Sequence, residues 1–187
     1  MRAIYRVTGV VKVRTSVTML ISVACSVSVP LLAWGGWAAV AVLTLLLGQV
    51  ADAMTTTLAV RSGHVTRLES FYQALVERFA EVCWLLTFLA LGAHPTTVVL
   101  TAGVVWAHEY VRAKVGGAAM SRAGSATVGD RSLRVWLVLT ALVLAAAVSW
   151  IGRDLAAGIV TMVMLCWLAL GLIGFGQLLA IIRKVLA

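Results

Sequence analysis

The stretch VADAMTTTLAVRSGHVTRLESFYQALVERFAE, Val50 to Glu81, holds Asp52, Glu69, Glu77 and Glu81, four of the seven acidic residues in a 187-residue chain that is 62% hydrophobic. Around it the chain is lipid-like. Its mean hydropathy is +1.03 with 12% charged residues, far from the composition of a soluble domain. A hydrocarbon core about 30 Å thick needs about 20 mostly apolar residues per helix. The sequence supplies such lengths six times, at about 17–34, 37–60, 67–92, 95–115, 133–151 and 155–182. The expected fold is all-α: one polytopic membrane domain over residues 1–187 with six transmembrane helices.

Lys and Arg fix the expected orientation, because short basic loops stay in the cytoplasm. Arg2, Arg6, Lys12 and Arg14, then Arg61 and Arg67, then Arg112, Lys114, Arg122, Arg131 and Arg134, then Arg183 and Lys184 all fall on one side, and only Arg153, beside Asp154, falls on the other. Six spans through the cell (inner) membrane with both termini cytoplasmic satisfy this count. Reading residues 1–33 as a cleaved signal peptide removes one span and breaks the rule. The net charge of +8 follows the loops, with no aromatic platform between the basic residues, so it is read as topology and anionic headgroups rather than nucleic acid.

Local signals are sparse. Gly35–Gly36 and Gly116–Gly117 are read as turns on opposite sides, and Pro95 as the first residue of a helix. Cys25, Cys83 and Cys166 fall in three different spans and are read as packing residues. GLIGFG at Gly171–Gly176 allows close helix approach, with packing as the first reading and a homodimer contact as the other. His108 beside Glu109 lacks the second histidine of a zinc helix motif.

The acidic residues themselves have a period. Glu69, Gln73, Glu77 and Glu81 recur every four positions, so neighbours in the series share a helix face with about 40° of drift per step. At 1.5 Å per residue Glu77 is about 15 Å into its helix, at membrane depth with Asp52. A charge there costs about 2.5–3.5 kcal/mol on insertion scales, so these residues are expected to face the bundle interior. Two explanations stay open. One is an ion-pair network, Arg78 with Glu81 or Glu77, capped by Arg61 or Arg67. The other is a hard divalent cation held by Asp52 and Glu77, with a diphosphate supplying further oxygens.

The same residues resemble the motif D-x2-D-G-x2-A-R-x8-G-x3-D-x3-D of the CDP-alcohol phosphatidyltransferases. Without a gap it falls on Asp52, Thr55, Thr56, Ala59, Val60, Glu69, Gln73 and Glu77. EYVRAK at Glu109–Lys114, GDRSLRVWL at Gly129–Leu137 and the six-span pattern extend the likeness over nearly the whole chain. The resemblance implies the family fold and a metal-dependent transfer from a lipid-linked diphosphate. In the family four aspartates hold two metal ions, and the last is also credited as the base. Here the first aspartate is kept, the last becomes Glu77, the middle two become Thr55 and Gln73, and Thr56, Glu69 and Val60 replace two glycines and an arginine. The formal ligand charge falls from that of four carboxylates to that of two, which implies fewer Mg²⁺ or Mn²⁺ ions than two.

The expected function is therefore that of a divergent intramembrane enzyme acting on a phosphatidyl or prenyl diphosphate donor. An ordinary CDP-alcohol phosphatidyltransferase of phospholipid biosynthesis, and an inactive homologue that partners an active paralogue, are the alternatives. Asp52 and Glu77 are the expected metal ligands, Gln73 and Thr55 weaker ones, and Glu77 or Glu69 the base. Arg61, Arg112, Lys114, Arg131 and Arg134 are expected at the phosphates, with Thr56, His64, Tyr72 and Glu81 lining the pocket.

Overall fold

A computed structural model describes residues 15–62, 67–115 and 131–186. They form six α-helices and, among the described residues, no strand: α1 (Thr15–Trp34), α2 (Ala38–Ser62), α3 (Arg67–Ala90), α4 (Pro95–Val115), α5 (Arg131–Val148) and α6 (Arg153–Leu186). Each follows one of the six apolar runs to within a few residues. Four of them, α1, α2, α5 and α6, are long and apolar enough to cross a membrane. The other two are more heavily charged along their length: Glu69, Glu77, Arg78 and Glu81 lie on α3, and Glu109, Arg112 and Lys114 on α4.

The outside of the bundle is as apolar as the inside. Leu20, Leu31, Leu43, Val50, Val99, Met162, Leu172 and Ile173 are exposed, as a surface requires when lipid is its solvent. Exposed aromatics gather toward the two ends. Trp34, Trp37 and Trp150 sit at the turns of one end, and Tyr72, Tyr110 and Trp136 lie toward the other, where amphipathic rings suit a membrane–water boundary. Along α5 the two levels, Trp136 and Trp150, are about 20 Å apart at 1.5 Å per residue.

The turns at the tryptophan end are tight because glycine makes them so. Gly36 and Gly92 have φ of 79° and 93°, and each ends its helix with paired bonds. Trp37 N–H donates to Leu32 and Gly36 N–H to Ala33; Ala93 N–H donates to Phe88 and Gly92 N–H to Leu89. This is the glycine-terminated helix end, in which the left-handed residue satisfies the last carbonyls. Pro95 then opens α4, where its missing N–H is not needed. The α5–α6 turn joins them, since the backbone N–H of His94 donates to Thr161 Oγ1 at 3.3 Å and Gly92 lies against Ala157. A shallow cavity of about 370 Å³ lies among the three turns and includes Arg153 and Asp154.

Inside the bundle α3 is the central element. Ala80, Glu81, Cys83, Trp84, Thr87 and Phe88 are all buried, and Phe88 meets Trp167 of α6 edge to face. Cys25 packs where Gly48 lets α2 approach α1, and Gly171 lets α6 approach Val104 of α4, so both small-residue sites serve packing within the chain. Gly116–Gly117 lies outside the described residues.

Candidate functional site

The charged residues of α2, α3, α4 and α5 meet at the end away from the tryptophan turns. Asp52 is ten residues before the end of α2, Glu77 ten residues into α3, and Arg131 is the first residue of α5. At the helical rise, α2 and α3 run on about 15 Å past the level at which α5 begins. There the Arg131 guanidinium bridges the two acids. Nη2 lies 2.9 Å from Asp52 Oδ2 and Nη1 lies 2.9 Å from Glu77 Oε1. The same guanidinium sits 5.8 Å from the ring centre of Trp84, a cation–π distance. Trp84 follows Glu77 by seven residues and so shares its helix face.

A second group lies one turn deeper along α3. Arg134, 2% exposed, donates from Nη1 to Glu81, which is fully buried, and from Nη2 to Glu109 Oε1 at 2.8 Å. Arg78 Nη1 donates to Glu81 Oε2 at 2.7 Å, and its Nη2 lies 3.6 Å from Glu109 Oε2. Nδ1 of the buried His108 is 4.0 Å from Glu109. Across the two groups four carboxylates face three guanidiniums within 3.6 Å, and the Arg112 guanidinium acts on Glu109 from three residues on. Each acid thus has a cation, which is what membrane depth demands. Among the described residues, two buried donors, Trp84 Nε1 and Arg131 Nε, have no hydrogen-bond partner.

The remaining expected residues divide. Thr55 Oγ1 is 2.7 Å from Thr18 Oγ1 and 3.0 Å from the Ala51 carbonyl, so this hydroxyl serves the α1–α2 seam and not the acids. Gln73 donates to Thr56 Oγ1 at 3.2 Å, which joins α2 to α3 outside the acid pair. Glu69 and Tyr72 line a groove of about 330 Å³ with Ser16, Met19, Leu20, Val23 and Val76, against α1. A neighbouring groove of about 430 Å³ runs on past Val23 and Val76 to Arg78, Phe79 and Val82. Arg112 is part-buried in the last turn of α4, and Lys114 lies over Tyr110 at 5.6 Å. His64 and the side chain of Arg61 lie outside the described residues.

Two residues of the charged cluster, Trp84 and Glu109, were absent from the expected site. Trp84 was legible from its spacing to Glu77 and Glu81, whereas Glu109 carries no pattern that marks it, because its partners lie on other helices. Arg78 meets Glu81 three residues on, the pairing that the ion-pair reading expects. Glu81 and Arg134, expected in a pocket and at the phosphates, are sealed against each other instead.

Among the described residues no group of three or more His, Cys, Asp or Glu side chains gathers at one point. Asp52 and Glu77 make a two-carboxylate set. That suits one Mg²⁺, which commonly takes one or two carboxylates and completes its shell with water and substrate phosphate. It does not suit the four-carboxylate, two-ion arrangement of the resembled family. Comparison with protein families, curated proteins and solved structures gave no match.

Proposed function

We propose that this chain is a membrane-embedded transferase of the CDP-alcohol phosphatidyltransferase type that acts on a lipid-linked diphosphate with one divalent metal ion. In this reading all six helices cross the cell membrane, α3 and α4 shielded by their ion pairs, and the charged end with both termini faces the cytoplasm. The observation that supports it is the convergence of Asp52 and Glu77, on separate helices, onto one cation at 2.9 Å each. Two carboxylates brought from different helices to one point in a low-dielectric interior are a costly arrangement, and a cation site explains it.

Asp52 and Glu77 would hold the ion, which supplies neutralisation of charge on the departing phosphate when bound. With CDP-diacylglycerol as donor, the second oxygen of Glu77 would accept the proton of an acceptor hydroxyl while the hydroxyl oxygen bonds to the phosphatidyl phosphorus. The bond from that phosphorus to CMP breaks, so that CMP leaves. With a prenyl diphosphate the acceptor oxygen bonds to carbon instead, and the carbon–oxygen bond to diphosphate breaks. Glu69, in the α1–α3 groove, takes no part in this step. Arg131 is the phosphate-binding residue nearest the acids, and its planar fork suits two phosphate oxygens. Arg134 and Glu81 position it by fixing α5 against α3.

The purified protein in nanodiscs, given Mg²⁺ and either CDP-diacylglycerol or a prenyl diphosphate, should consume one of them. Asp52→Asn and Glu77→Gln should each lower the rate by about 10²-fold or more. A second reading, an inactive homologue, is favoured by the guanidinium lying where the family has metal. Absence of metal-dependent turnover of both donors, across glycerol phosphate and inositol phosphate acceptors, would select it.

A further inference from the structure

Arg131 touches both acids of the proposed site with different nitrogens, and its Nε, like Nε1 of the Trp84 ring beside it, is a buried donor with no acceptor among the described residues. In that position the guanidinium competes with any metal for Asp52 and Glu77. We infer that Arg131 is a built-in rival cation, which keeps a bare divalent ion off Asp52 and Glu77 and gives them up only when a diphosphate arrives with the metal. The inference rests on the transferase reading.

Charge balance is the reason. A bare divalent ion taking both carboxylates leaves the Arg131 guanidinium, 24% exposed, without a counter-ion in a partly buried setting, which is unfavourable. A metal diphosphate carries its own anion. The carboxylates then exchange Arg131 for the metal while Arg131 exchanges the carboxylates for phosphate oxygens, so every charge keeps a partner. The two idle donors, Arg131 Nε and Trp84 Nε1, are placed beside the guanidinium that would receive those oxygens. Metal and diphosphate therefore bind with positive coupling, and the arginine is its source.

Arg131→Gln removes the rival charge and the phosphate contact together, so the affinities for bare metal and for metal diphosphate should move in opposite directions. Mn²⁺ alone, followed by its free-ion electron spin resonance signal, should bind the variant about tenfold or more tightly than the parent. The preformed Mn²⁺–pyrophosphate complex, followed by calorimetry, should bind the variant more weakly than the parent. Adding Asp52→Asn to Arg131→Gln should abolish the gain for Mn²⁺. If Arg131→Gln does not fold, Arg131→Lys is measured instead. It keeps the charge without the fork and should shift both affinities in the same directions by less. Unchanged Mn²⁺ affinity in a folded variant, with the complex still bound, would overturn the inference and leave the transferase reading standing. Failure of the parent and the variant to bind either Mn²⁺ or the complex would remove both.

Discussion

Breaking the buried pair of Glu81 and Arg134 should be more damaging than deleting it. Their side chains are 1% and 2% exposed, whereas those of Arg78 and Glu109 are 35% and 21% exposed. Arg134→Met leaves the Glu81 carboxylate with Arg78 alone, and Glu81→Leu leaves the Arg134 guanidinium with Glu109 alone. Each single change is expected to cost about 3–5 kcal/mol, the usual penalty for stranding one member of a buried pair. The double variant leaves Arg78 and Glu109 as a half-exposed pair and an apolar filling between α3 and α5. It should cost no more than about 2 kcal/mol, because a buried pair replaced by apolar groups of similar size is often neutral. The cycle should then return a coupling of about 3 kcal/mol or more, outside the range of independent sites. Reversible unfolding in mixed micelles, with monodispersity checked at each step, measures all four proteins. If the double variant loses the sum of the two single losses, the account of this pair as mutually compensating is wrong.

Gly92→Ala should destabilise by about 2 kcal/mol, because φ is 93° and the new Cβ would stand 2.9 Å from Ala157 Cβ. Gly36→Ala, with φ of 79° and open space around it, should cost about half as much; equal losses in thermal unfolding would show that the Ala157 contact is immaterial. Thr55→Val should cost about 1 kcal/mol through its bond to Thr18 while metal-dependent turnover stays at the parent rate, and a fall in turnover would return Thr55 to the metal set. Trp84→Phe shortens a fully buried ring that lies under Arg131 and should cost about 1 kcal/mol in thermal unfolding, reduced by the loss of a donor with no partner among the described residues; a loss of about 3 kcal/mol or more would mean the indole N–H is bonded.

The helices were legible because lipid imposes a coarse code: apolar runs of bilayer length, with glycine and proline at their ends, as Gly36, Gly92 and Pro95 bear out. The site was legible in depth and composition but not in pairing. The four-residue series from Glu69 to Glu81 drifts about 40° per step, and over three steps that turns Glu69 to the α1 groove while Glu77 and Glu81 face α5. Thr55, three residues from Asp52, is likewise turned to α1. No one-dimensional pattern distinguishes a carboxylate waiting for metal from one held by an arginine beyond two further helices. Arg131 was singled out as a phosphate ligand from its place near the basic loops, and its grip on both acids emerged only from three-dimensional contacts.

The bridge from Asp52 and Glu77 to Arg131 also constrains how the chain is made. The ribosome delivers the two acids with α2 and α3, long before the arginines of α5 that neutralise them. In the proposed topology the nascent chain therefore holds Asp52 and Glu77 at membrane depth without Arg131 until α5 is made. Docking of α2 against α3 at this end is then expected to finish only after α5 arrives, a late step in assembly.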